Sequence, residues 1–151
     1  MIKYTNSEIV FEEIPDYISL AINISNCQNR CIGCHSQYLQ QNIGTELNEN
    51  EIDKLVDKNY GINCIVFMGE GNDRVALLHL AQYIKEKYKD LKLAIYSGRS
   101  NVEEEYDKLF NFIKTGAYIE EKGPLNKNTT NQRLYKIENG KRIDITSVFW
   151  R

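Results

Sequence analysis

The segment NCQNRCIGCH, residues 26–35, carries Cys27, Cys31 and Cys34, with His35 directly after the third thiol. The whole chain has 4 cysteines and 2 histidines, so three thiols within eight positions ask for a chemical reason. Four readings are open from residue types and spacing. A disulfide would leave one thiol over and is disfavoured in a reducing compartment. Structural zinc needs four closed ligands, and the fourth would have to be His35, Cys64 or His79. Inert burial fits poorly, because Gln28, Asn29 and Arg30 make the segment polar. An iron–sulfur cluster suits cysteine thiolates, which normally hold four irons through four cysteines. Three would leave one iron open to a small molecule, and that vacancy is what a reactive metal site needs.

Such a segment must be positioned by regular elements. SEIVFEEI and YISLAINI read as strands joined around Pro15 and Asp16, and the cysteines follow the second directly. NENEIDKLVDKNY reads as a helix, with Asn48 as cap and Ile52, Leu55 and Val56 on one face. INCIVFM fits a central strand ending in Gly69 and Glu70. Asp73 is placed to cap a helix reaching Tyr88, with Val75, Leu78, Ala81, Ile84 and Tyr88 turned inward. LKLAIYSG is a third strand, ending at Ser97 and Gly98. NVEEEYDKLF reads as a helix, NFIKTGAYI as strand-like, and RLYKIENGKRIDIT as a hairpin turning at Asn139-Gly140.

Strand and helix alternate through the middle, which predicts an α/β fold with a mostly parallel sheet. The chain has 151 residues. A complete eight-unit barrel needs roughly 200 or more, so the expectation is one domain over residues 1–151 forming a partial (β/α) barrel with a C-terminal β-hairpin. In such folds chemistry lies beyond the carboxyl ends of the strands. The cysteine segment, GEG and YSGR each follow a predicted strand there.

Composition narrows the class further. The chain is 42% hydrophobic and 26% charged, with a net charge of −2, so no overall basic field calls for nucleic acid. The N-terminal stretch shows no apolar signal core, and no run is long enough to span a bilayer. The expectation is a cytoplasmic protein with reduced thiols and no membrane partner.

The C-x3-C-x2-C loop after a strand resembles the signature of the radical S-adenosylmethionine enzymes. CQNRCIGCH, with Gly33 before the third cysteine and His35 after it, is similar to a smaller group, the activating proteins of anaerobic ribonucleoside-triphosphate reductase. Short length and the late NQR element, Asn131, Gln132 and Arg133, match that group as well. The resemblance covers about residues 8–146. One place departs: relatives commonly carry Gly-Gly-Glu-Pro after the second strand, and here Met68 and Gly71 flank Gly69-Glu70.

The resemblance implies that Cys27, Cys31 and Cys34 hold a 4Fe–4S cluster whose fourth iron binds S-adenosylmethionine. Reductive cleavage of that cofactor yields a 5′-deoxyadenosyl radical, which takes hydrogen from a glycine of the reductase. It implies cofactor-binding roles for His35, Gly69, Glu70, Ser97 and Gly98, with Arg99 available to a carboxylate. The implied partners are the reductase's glycyl-radical subunit and an electron donor such as flavodoxin or ferredoxin. Two alternatives stand beside it: an activase of another glycyl-radical enzyme, and a small zinc-stabilised binding module.

Overall fold

The run CIVFM at residues 64–68 is apolar without alternation, as expected of a strand buried on both faces. In the computed structural model it lies near the middle of a sheet. The structure describes residues 1–26 and 41–150; Cys27, Cys31, Cys34 and His35 lie outside them. Among the described residues eight strands form one sheet. They are β1 (Ile2–Val10), β2 (Ser19–Ile24), β3 (Thr45–Leu47), β4 (Cys64–Met68), β5 (Lys92–Tyr96), β6 (Phe112–Thr115), β7 (Arg133–Glu138) and β8 (Lys141–Asp144). Helices α1 (Glu49–Lys58), α2 (Arg74–Lys87) and α3 (Tyr106–Leu109) are interleaved, and a 3-10 helix spans Thr146–Trp150.

The spatial order is β3-β1-β2-β4-β5-β6-β7-β8. Pairings β2–β4, β4–β5 and β5–β6 are parallel. Those of β1 with β2 and β3, β6 with β7, and β7 with β8 are antiparallel. The sheet is therefore mixed, with a parallel centre and antiparallel flanks, where the sequence pattern predicted a mostly parallel one. The cause is local. A helix joins β2 to β4 and β4 to β5, which permits parallel pairing, whereas β1 runs into β2 and β6 into β7 through helix-free connections, residues 11–18 and 116–132, and β7 turns directly into β8. At the β7–β8 turn Asn139 and Gly140 have φ of 53° and 74°, the left-handed pair that a two-residue hairpin requires.

One face of the sheet carries Leu20, Ile22, Phe67 and Ile95 against the helices, in the larger apolar cluster. The other carries Ala21, Val66, Ala94 and Phe112, covered by Ile14, Tyr17 and Phe149 from the 11–18 connection and the C-terminal end. Cys64 belongs to this second cluster, and burial pushes its thiol up to about 11. No helix among the described residues is long and apolar enough to cross a membrane.

The helices begin where the caps predict. Asn48 Oδ1 accepts from the Glu51 N–H at 3.0 Å, and Asp73 Oδ1 from the Ala76 N–H at 3.1 Å. The inward stripe of α2 differs from the one expected. Leu77, Leu80, Ala81 and Ile84 are buried, whereas Val75 is 82% exposed. Leucines at 77, 78 and 80 fit two overlapping helical stripes, and only the placement of the helix on the sheet selects between them. The helix expected over residues 101–110 is confined to Tyr106–Leu109. Arg142 from β8 donates to the carbonyls of Val102 and Glu103 at 3.0 and 3.3 Å, satisfying the preceding backbone outside a helix.

The corrected stripe has a measurable consequence. Leu80→Ala is expected to cost about 2–5 kcal/mol, whereas Val75→Ser should change stability by less than about 0.5 kcal/mol. Urea unfolding followed by circular dichroism gives both values, and equal losses would return Val75 to the core.

Candidate functional site at the strand carboxyl ends

The parallel register aligns the strand ends. Asn23 pairs with Met68, Met68 with Tyr96, and Tyr96 with Lys114. The connections leaving β2, β4, β5 and β6 therefore share one rim. Residues 25–26, 69–72, 97–99 and 116–117 make up that rim.

At the exit of β2 the two ends of segment 27–40 are tied together. The Asn26 N–H donates to the Gln41 carbonyl at 2.9 Å, and Ser25 Oγ to the Ile43 carbonyl at 2.5 Å. Asn26 adopts φ 58°, a left-handed turn that asparagine tolerates. The cysteine segment thus leaves and re-enters the fold at one place on the rim.

At the exit of β4, Glu70 is 8% exposed, and its carboxylate turns into the protein. Oε2 accepts from Ser97 Oγ at 2.6 Å and Arg99 Nε at 3.1 Å. Oε1 accepts from Arg99 Nη2 at 2.7 Å and Tyr106 OH at 2.5 Å. Burial opposes the charge on Glu70, but hydrogen bonds from Arg99, Ser97 and Tyr106 outweigh it and hold the carboxyl below its ordinary range. Burial first, and then the bond to Glu70, push the Tyr106 phenol up. Arg99 also donates to Glu103 at 2.8 and 3.0 Å, and Glu103 accepts from Arg74 at 3.2 Å. The bond from Arg99 holds Glu103 down to about 2. Charges alternate along Glu70, Arg99, Glu103 and Arg74 while side-chain exposure rises through 8, 27, 43 and 46%. The chain of charges ends in solvent at the start of α2.

The structure thus brings together three of the residues singled out from sequence, Glu70, Ser97 and Arg99. It does so by bonding them to one another. The Ser97 hydroxyl donates to Glu70 and accepts from the Arg99 N–H at 3.1 Å. Each guanidinium nitrogen of Arg99 has a carboxylate partner. Gly69 donates its N–H to the Tyr96 carbonyl at 3.0 Å, and Gly98 lies in the bend after β5. Gly71 has φ 69°, and a Cβ added there would lie only 2.9 Å from Ile24 Cγ2; proline, held near −65°, cannot take that path.

Lys114 and Tyr106 escaped sequence reasoning. Lys114 is 8% exposed on the helix-free face. Its Nζ donates to the carbonyls of Ser97 at 3.2 Å and Gly116 at 2.9 Å and sits 5.5 Å from the Tyr96 ring centroid. Gln132 Nε2 donates to the same Gly116 carbonyl at 3.2 Å, and Asn131 Nδ2 to the Ala117 carbonyl at 3.1 Å. Two residues of the NQR element therefore hold the exit of β6, while Arg133 stands over the Trp150 ring at 5.9 Å. Asn131 Oδ1 is buried with no hydrogen-bond partner. A lysine inside the strand pattern NFIKTG was the available signal for Lys114. Tyr106 offered only its place on a helix.

The donor chemistry of the cysteine segment fits an iron–sulfur group. Its ends are fixed at the rim where parallel-strand folds place chemistry, and a buried acceptor at the same rim lacks a donor. No family model, curated protein or solved structure matches the chain.

Replacing Glu70 tests the network. A carboxyl depressed in the folded state stabilises above its unfolded pKa of about 4.3, and that stability is lost as pH falls through the folded value. Glu70→Gln is expected to cost about 1–3 kcal/mol near neutral pH and to flatten the loss of stability on acidification. Urea midpoints measured across that range report both effects; a variant with the acid dependence of the unmodified chain would show that Glu70 is not the group responsible.

Proposed function

We propose that this chain is a glycyl-radical-generating activase, a cytoplasmic radical S-adenosylmethionine enzyme acting on anaerobic ribonucleoside-triphosphate reductase. The observation that carries the reading is the C-x3-C-x2-C segment mounted, with both ends tied, at the carboxyl end of the first parallel strand. On this reading β2, β4, β5 and β6 stand for the partial barrel of that class, and an electron donor such as flavodoxin or ferredoxin serves it.

Cys27, Cys31 and Cys34 would hold a 4Fe–4S cluster. When bound, that group supplies the low-potential electron for breaking a carbon–sulfur bond of S-adenosylmethionine. The chain's own residues bind and orient. Glu70 and Ser97, saturated by each other and by Arg99, fix the exits of β4 and β5. The cofactor's ammonium and ribose would then be received by backbone groups around Gly69, Glu70, Ser97 and Gly98. Asn131 Oδ1 offers an acceptor at the exit of β6. Met68 and Tyr96, half-buried on the helix-free face, give an apolar floor that limits water. His35 flanks the third thiol and is assigned to the cofactor on the resemblance alone.

Anaerobic purification with iron and sulfide analysis tests the reading. About four irons per chain, brown colour and reductive cleavage of S-adenosylmethionine are expected. Cys31→Ala should lose cluster stability and all cleavage while retaining its fold. Incubation with the reductase should then produce a glycyl radical signal in electron paramagnetic resonance. Colourless protein with one tightly held zinc would replace this reading with the zinc-stabilised module. A signal only with a different glycyl-radical enzyme would reassign the partner.

A further inference from the structure

Outside the rim network, the N-terminal ends of α1 and α2 flank a groove of about 690 Å³. Its floor is apolar: Ile2, Leu47 and Leu80 are 1, 3 and 2% exposed. Val75, in the first turn of α2, stands beside it at 82% exposure. Carboxylates of Glu46, Glu49 and Asp73 surround this apolar strip. The helix N-termini do not call for an anion there, since the Asn48 and Asp73 side chains already accept from their first turns. Arg74 is turned away to Glu103. The positively charged group seen in the groove is the Met1 ammonium, paired with Asp73. His79 Nε2 lies 2.7 Å from Glu49 Oε1.

We propose that this groove docks an extended segment of a partner polypeptide that carries an apolar side chain beside a lysine or arginine. The apolar side chain packs on Val75, and the basic one meets Glu46 and Glu49. Charge complementarity argues for this occupant: Glu46, Glu49 and Asp73 line the groove, and no lysine or arginine does among the described residues. The groove also touches the rim. Asp73 caps α2 two residues after Gly71, and Gly71 packs on Ile24 and Ile2. A segment seated in the groove therefore bears on the connection that carries Gly69 and Glu70. The inference does not rest on the activase reading, because its test reads binding alone.

Fluorescence anisotropy of a labelled peptide containing Leu-Arg, beside a matched Leu-Glu peptide, tests it with the full chain. Saturable, salt-sensitive binding of the Leu-Arg peptide is expected, with the Leu-Glu peptide at least about tenfold weaker. Val75→Asp and Glu49→Lys should each weaken binding about tenfold or more, and Glu120→Lys, on a remote exposed turn, should not. Circular dichroism confirms that each variant is folded. Equal binding of the two peptides, no saturable binding, or affinities unchanged in Val75→Asp and Glu49→Lys would overturn the proposal. A concentration-dependent dimer in sedimentation that Val75→Asp abolishes would assign the groove to a second copy instead, as would inorganic phosphate competing with the peptide assign it to an anion.

Discussion

A carboxylate removed from water costs several kcal/mol unless its lone pairs are met, and Glu70 meets this constraint with three donor residues from two segments, the connection after β5 and α3. Ser97 lies at the exit of β5, Arg99 in the following bend, and Tyr106 in α3. None can withdraw without leaving a buried charge short of a partner. The exits of β4 and β5 must therefore arrive together, and α3 must pack over them. Arg99 extends the requirement outward through Glu103 to Arg74, so the start of α2 is drawn into the same arrangement. The outer pairs are exposed and contribute little singly; their effect is to orient Arg99 for the buried bond.

The two faces of the sheet divide the remaining work. The helix face is sealed by aliphatic and aromatic packing, including the edge-on contact of Phe67 with Phe110 at 6.3 Å. The opposite face has a thinner cover and a row of larger, less apolar side chains at its carboxyl end: Asn23, Met68, Tyr96 and Lys114. Lys114 belongs to that row yet bonds backwards to the carbonyls of Ser97 and Gly116, pinning β5 to β6 where their ladder ends. Gln132 meets the same Gly116 carbonyl. The rim is thus braced at β4–β5 by a buried carboxylate and at β5–β6 by a buried ammonium.

Legibility followed the range of the interaction. The caps at Asn48 and Asp73 and the Asn139-Gly140 turn are local, and each was readable within four residues. The central strands were readable because burial on both faces leaves no polar alternation. Direction within the sheet was legible where a helix intervened or where the Asn139-Gly140 turn closed a hairpin, so the antiparallel pairing of β6 with β7, across residues 116–132, was not. Strand β3 escaped because three residues, Thr45–Leu47, carry too little pattern. Tyr106 became part of the site only through Glu70, 36 positions away in the chain. Glu70, Ser97 and Arg99 were readable as strand-end residues, but not their bonding to one another. That requires knowing that β4 and β5 are neighbours in register.

On the proposed reading, the bonding of Glu70 and Ser97 to one another shifts recognition at the rim toward the backbone. Side chains bonded to one another in this way hold the neighbouring peptide groups still, and fixed peptide groups bind polar ligands without reorganising. The same economy applies to segment 27–40. Bringing its ends together costs on the order of 2 kcal/mol in chain entropy, apart from a constant. The Asn26–Gln41 and Ser25–Ile43 hydrogen bonds meet that cost within the folded scaffold.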